Sequence, residues 1–258
     1  MSDGTVRYER EGALAKVIFD RPQARNAMTW SMYDQLHEIC ERIRLEPGIR
    51  VATFRGAGGD AFVAGTDIRQ FTSFASGEDG VAYERRMEVI LGAIDALPVP
   101  TLAIVQGWCV GGGLAIAASC DLRISNPAAR FGVPIARTLG NCLAAGTCAR
   151  LVAELGVART KRLILLAEML SATEAREAGF VSAIVEDNAL DDHVAAMVGR
   201  LAQHAPVTMR VTKEAIRRVL RVLPVADEDL LLTCYGSTDF RHGVEAFLAK
   251  RPPSWTGN

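Results

Sequence analysis

The stretch Val105–Asp121 constrains this chain more than any other. A short apolar, β-rich run, Thr101–Val105, follows Pro98 and Pro100 and reads as a buried strand. Gly111-Gly112-Gly113 comes next, then a run of small and apolar helix formers, Leu114–Cys120. The order is strand, glycine turn, buried helix. The first turn of a helix carries N–H groups with no intrahelical partner, and its dipole favours negative charge. Glycines there let a ligand oxygen approach the backbone. A backbone N–H site backed by an apolar helix, and so kept dry, suits a developing oxyanion. The same triplet also fits a tight turn with close helix–strand packing, and by itself it does not choose between the two.

A second stretch answers the first: Ala61-Phe62-Val63-Ala64-Gly65-Thr66-Asp67-Ile68. Together they resemble the enoyl-CoA hydratase/isomerase family, or crotonase superfamily. That family has an Ala-Gly-X-Asp segment after a strand-turn unit and a Gly-Gly-Gly segment opening a buried helix. Arg21–Met28 is similar to the family's early substrate-side motif and Phe240–Pro252 to its tail, in the same order along the chain. The resemblance implies that the N–H groups of Thr66 and Gly112 bind a thioester oxygen. It implies an acyl-CoA substrate, with Arg25 placed like a basic residue that meets the CoA phosphates. Ala64, Asp67 and Ile68 match the segment that folds over adenine and pantetheine, and Gly111 belongs with them on the substrate side. No metal or redox cofactor is implied, coenzyme A entering as part of the substrate. The implied fold is α/β: a crotonase-like spiral core of repeated ββα units over residues 1–189, then a C-terminal helical oligomerisation region over 190–258. The resemblance makes the assembly a homo-trimer or hexamer.

The rest of the chain fits a large α/β unit. It has 258 residues, 49% of them apolar, enough for a sizeable core. A formal net charge of −1 gives no reason to expect nucleic acid or an anionic membrane as a partner. Six cysteines without a Cys-x-x-Cys pair suggest a reduced, cytoplasmic setting. Residues 1–10 are polar and show no signal peptide, and no apolar run is long enough for a membrane span. In order, Ala13–Phe19 reads as a strand, and Thr29–Arg44 as an amphipathic helix capped by Thr29. Val51–Arg55 is a strand, Ser76–Gly80 a polar loop and Val81–Leu97 a helix. Asp67 also suits a helix cap. Asp121–Ser125 is a strand, Leu143–Leu155 and Arg159–Leu166 are helices, and Ser171-Ala172-Thr173-Glu174 spells a capping box. Val181–Val185 is a strand, and only helices follow Leu190. The alternation argues for an α/β fold. His37, His193, His204 and His242 have no metal-ligand spacing, and there is neither a nucleophile elbow nor a phosphate-binding loop.

One departure from the family decides the expected mechanism. Hydratases of the family carry one glutamate two residues after the first position past the triplet's middle glycine and another just after the proline of Phe-Gly-x-Pro. The matching positions here are Ala115 and Ile135, neither of which can move a proton. The expectation is an enzyme that stabilises a thioester oxyanion or enolate without the usual acid–base pair. An acyl-CoA decarboxylase or another base-independent acyl-CoA reaction is the alternative within enzymes. A catalytically silent CoA-binding protein is the alternative outside them. Arg137 offers a partner for a substrate carboxylate or a surface salt bridge. Cys142, after Gly140-Asn141, offers a nucleophilic thiolate or a small buried side chain. Glu84 and Glu88 are the only other carboxylates placed to reach the site, and both read more simply as solvated helix residues.

Overall fold

The computed structural model describes residues 3–220 and 226–256. Strands β1 (Thr5–Glu11) and β2 (Leu14–Asp20) form an antiparallel hairpin. Helix α1 (Trp30–Leu45) follows, its Thr29 cap accepting a bond from the Met32 N–H. The chain then repeats one unit. A strand in the large sheet runs into a short strand in a second sheet, and a helix follows. The pairs are β3 (Val51–Gly56) with β4 (Ala61–Val63), β5 (Thr101–Val105) with β6 (Trp108–Val110), and β7 (Leu122–Ser125) with β8 (Arg130–Gly132). Their helices are α2 (Gly77–Asp95), α3 (Gly112–Ala118), and α4 (Ile135–Thr138) with α5 (Ala145–Leu165). Helix α5 is broken at Gly156, whose φ is 78°. Then come β9 (Met169–Ser171), α6 (Ala172–Glu177), β10 (Ala183–Ile184), α7 (Asp187–Gln203), α8 (Pro206–Leu220), α9 (Glu228–Tyr235) and α10 (Thr238–Leu248).

The large sheet has the order β1-β2-β3-β5-β7-β10 and is parallel from β2 onward. The small sheet has the order β4-β6-β8-β9, with β9 antiparallel. Each repeat therefore adds one strand to both sheets, which is the spiral of ββα units. Strand β5 is buried along its whole length, as a central parallel strand covered on both faces must be. Its Ala103 and Val105 face the main core, while Leu102 and Ile104 pack with Leu190 and Met197 of α7 on the other side. Helix α3 is buried almost all round and ends against Arg123. That guanidinium donates to the Ala117, Cys120 and Phe180 carbonyls at 3.1, 2.6 and 2.6 Å and pairs with Glu154 at 2.6 Å. Its bonds to Ala117 and Cys120 tie down the C-terminal end of the helix, where a cation also complements the dipole.

Two expectations need correction. Residues 76–80 are the capped first turn of α2 rather than a loop. Asp79 Oδ2 accepts from the N–H groups of Ala75 and Ser76 at 2.7 and 2.9 Å. The N-terminal segment that reads as plain polar chain carries β1, a strand whose residues are nearly all exposed or half-buried. The pairing of α9 and α10 with the core is set by an aromatic cluster. Phe71 meets Tyr83 and Phe240 at 5.1 and 6.1 Å between ring centres, and Tyr235 meets Phe240 at 4.9 Å.

Candidate active site

The two glycine segments abut. Gly111 adopts φ 54°, ψ −119°, a conformation that L side chains rarely adopt, and its N–H donates to the Gly132 carbonyl at 2.9 Å. A methyl group on Gly113 would lie 2.0 Å from the Val63 carbonyl oxygen, so the start of α3 packs backbone-to-backbone on β4. One on Gly112 would lie 2.6 Å from the Tyr33 hydroxyl and 3.5 Å from Thr66 Oγ1. On the facing segment, Met28 N–H donates to Gly65 O and Asp67 N–H to Met28 O, both at 2.8 Å. Neither the Thr66 N–H nor the Gly112 N–H has an acceptor among the described residues. The Thr66 side chain is engaged separately from its N–H. Its Oγ1 lies 2.8 Å from the Tyr33 hydroxyl and 3.0 Å from that of Tyr83. Burial pushes the Tyr33 phenol up to about 12 and Tyr83 well above its ordinary value, so both stay neutral.

Thr66 and Gly112 open onto a cavity of about 640 Å³. Arg25, Ala64, Asp67, Ile68 and Gly111 line it too, as do Ala115 and Ile135. Along one wall, Arg21 pairs with Asp67 at 2.9 Å, and Arg69 also binds the Asp67 carboxylate. The hydrogen bond from Arg69, helped by Arg21, holds that carboxyl down at about 2. Asp67 thus caps the 3-10 turn Ile68–Ser73, accepting from the Arg69 N–H, and stays ionised. The Arg25 guanidinium lies over the Trp108 ring, 5.8 Å from its centre. Arg25 and Asn26 both have positive φ, at 50° and 56°. The buried Asn26 side chain fixes that turn by donating to Ala57 O and Ala61 O at 2.9 and 2.8 Å and accepting from the Arg21 N–H at 2.9 Å.

The opposite wall brings a residue that the sequence reading set aside. Glu84 is 4% exposed and lines the cavity. Its Oε1 accepts from the Tyr235 hydroxyl at 2.6 Å and its Oε2 from the Ala144 N–H at 3.0 Å. Burial pushes its carboxyl up to about 7, against these two bonds. A signal was present: Gly80, Val81, Glu84, Met87, Leu91 and Ile94 follow helical spacing along the inward face of α2. Glu88 points elsewhere and pairs with Arg150 at 2.8 Å. Two candidates do not line the cavity. Arg137 is exposed on α4. Cys142 lies beside Cys234, and contact with that thiol together with burial pushes its own thiol up, so it is protonated rather than a thiolate.

A profile described as Enoyl-CoA hydratase/isomerase matches residues 9–258. The chain belongs to the enoyl-CoA hydratase/isomerase family. As a member of the crotonase superfamily it is an acyl-CoA-processing enzyme. It is 33% identical over 252 residues to "Enoyl-CoA hydratase domain-containing protein 2, mitochondrial" of Mus musculus, covering 95% of this chain and 84% of that one. A crystal structure of an enoyl-CoA hydratase/carnithine racemase from Magnetospirillum magneticum superposes with a TM-score of 0.81 at 35% identity, over 98% of this chain and 96% of the other. Methylmalonyl-CoA decarboxylase in complex with 2-nitronate-propionyl-CoA superposes with a TM-score of 0.90 at 26% identity, over 98% and 99%.

Proposed function

We propose that this enzyme binds an acyl-CoA thioester in the cavity and stabilises its enolate through the backbone N–H groups of Thr66 and Gly112. The observation that carries the reading is the pair of unengaged N–H groups on abutting glycine segments, opening onto one cavity. Enolate formation moves negative charge onto the thioester oxygen, and preorganised donors in a dry site gain most where charge develops. Arg25, Ala64, Asp67 and Ile68 hold the CoA portion, with Arg25 supplying charge for its phosphates. With Ala115 and Ile135 in place of glutamates, hydration by a carboxylate pair is slow. The reaction is a lyase or isomerase step that passes through that enolate.

Decarboxylation is the second reading, favoured by the similarity to methylmalonyl-CoA decarboxylase. There the bond to the departing carboxylate breaks, carbon dioxide leaves, and the electron pair enters the enolate. No base is needed to start that step. The test is turnover of purified protein on crotonyl-CoA, a 3-enoyl-CoA and methylmalonyl-CoA, beside CoA binding by calorimetry. Gly112→Pro removes one donor, and losing one oxyanion donor lowers kcat by about a hundredfold to a thousandfold. Binding without turnover on any thioester would make the protein a silent CoA-binding protein instead.

A further inference from the structure

Enolate chemistry at this site needs a group that takes up or delivers a proton at carbon, and the two family positions for it are apolar. The ionisable side chains that line the cavity are few. Arg21, Arg25 and Arg69 are cations. Asp67 is ionised and held by two arginines. Tyr83 is neutral and bonded to Thr66. That leaves Glu84. Resting on the reading above, we propose that Glu84 is the catalytic acid–base residue of this enzyme, and that Tyr235 positions it for both directions of proton transfer.

The hydrogen bonds around Glu84 can serve both protonation states, although those from Tyr235 and Ala144 favour the ionised one. When the carboxylate is ionised, the Tyr235 hydroxyl donates to Oε1 at 2.6 Å. When it is protonated, its own O–H donates back to the phenol oxygen, and the Tyr235 proton turns to the Cys142 carbonyl, 3.2 Å away. The Asn141 amide, 3.5 Å from the phenol oxygen, fixes the ring from the cavity side. Oε2 keeps the Ala144 N–H in either state.

In the base direction, Glu84 takes the proton from the carbon next to the thioester. The C–H bond breaks, an O–H bond forms on Glu84, and the electron pair moves into the enolate, whose oxygen the Thr66 and Gly112 N–H groups hold. In the acid direction the neutral carboxyl gives its proton to that carbon, the enolate collapses to the thioester, and Glu84 is left ionised. The same step completes a decarboxylation. Burial foremost, and then the groups facing Glu84, set where it titrates. Glu88 on α2 and Asp227 before α9 oppose its charge, although Glu88 is partly neutralised by Arg150 of α5. Tyr33 of α1, Tyr83 of α2 and Tyr235 of α9 are neutral phenols around it, and Cys142, Cys148 and Cys234 are thiols near it.

The experiment is exchange of the α-hydrogens of butyryl-CoA in deuterated buffer, read by mass spectrometry across pH. Wild type exchanges with an inflection near pH 7. Glu84→Gln binds butyryl-CoA and exchanges at least about a hundredfold more slowly, and Glu84→Asp recovers part of the rate. Tyr235→Phe removes a donor to the ionised form, so its inflection moves to higher pH, a change that mere loosening of the pocket does not produce. Exchange by Glu84→Gln within about threefold of wild type overturns the role of Glu84 and leaves the oxyanion reading standing. Absence of exchange by wild type that binds butyryl-CoA overturns both. Should Glu84→Gln not fold, the wild-type inflection and its movement in Tyr235→Phe decide, and a flat profile overturns the proposal.

Discussion

Glu84 sits where an apolar side chain would be cheaper. Its carboxyl is displaced from 4.5 to about 7 by burial, which corresponds to roughly 3 kcal/mol between the two protonation states. The folded form binds the proton more tightly than the unfolded one. Its contribution is therefore fully present below about pH 4.5 and is lost as pH rises through 7. Glu84→Gln keeps an acceptor for the Ala144 N–H and a donor for the Tyr235 oxygen, and it carries no charge to bury. Thermal melts should show this variant gaining stability over wild type at pH 8 and little or nothing at pH 4.5. An equal difference at both pH values would mean that the carboxyl is not displaced. Ala115 and Ile135 pose the complementary question, since both line the cavity. With crotonyl-CoA, wild type should hydrate slowly, and the Ala115→Glu/Ile135→Glu double variant should gain at least about a hundredfold. Wild-type hydration at the double variant's rate would mean that another pair of groups activates water.

At the scale of elements, much was legible. The Thr29 cap and the Ser171–Glu174 capping box are local hydrogen-bond motifs written in adjacent residues, and both are present. Strand β5 is an apolar run and β3 and β7 carry apolar residues between turn residues, and each was readable for that reason. Strand β1 was not, because an edge strand with polar residues on most positions has no hydrophobic pattern to read. The Ser76–Asp79 box was missed because its serine precedes two glycines, which read as loop. The site divides along the same line. Gly65, Gly111 and Gly113 announce themselves because backbone geometry demands glycine there. Glu84 does not, because a charged residue on the inward stripe of α2 acquires meaning only from Tyr235, 151 positions later. Arg137 and Cys142 follow the family's segment in sequence, but α4 turns one outward and α9 buries the other against Cys234. The contact of α3 on β4 yields a prediction at this scale. Gly113→Ala would drive a methyl group into the Val63 carbonyl oxygen, a backbone atom that cannot rotate away. It should lower stability by about 1–3 kcal/mol or more, read as a fall in the denaturant midpoint. An unchanged midpoint would show that the two elements are not locked together.

The whole molecule carries a face that its own fold leaves uncovered. Helix α8 has no buried residue. Val207, Val211, Ile216, Val219 and Leu220 are each more than half exposed, and Val211 and Val219, eight positions apart, share the side of the helix turned away from Lys213. Lys213 ties the helix to the core, donating to Asp121 at 2.7 Å and to the Val99 carbonyl at 3.1 Å, so it is anchored while its apolar stripe is not. Helix α9 turns Tyr235 and Leu231 inward and leaves Leu230 exposed. An exposed apolar stripe of this kind marks a surface that another molecule covers. We propose that copies of this chain cover it, giving the trimer or hexamer that the family resemblance implies. Sedimentation equilibrium should return a mass of three or six chains. Val211→Glu/Val219→Glu should shift it toward the monomer, since each buried valine contributes about 1.5–3 kcal/mol that a charge forfeits. Because Tyr235 reaches Glu84 from the same C-terminal region, the dissociated variant should also lose turnover while its core still melts cooperatively. A wild-type monomer at assay concentration would remove the assembly and leave α8 open to a different partner.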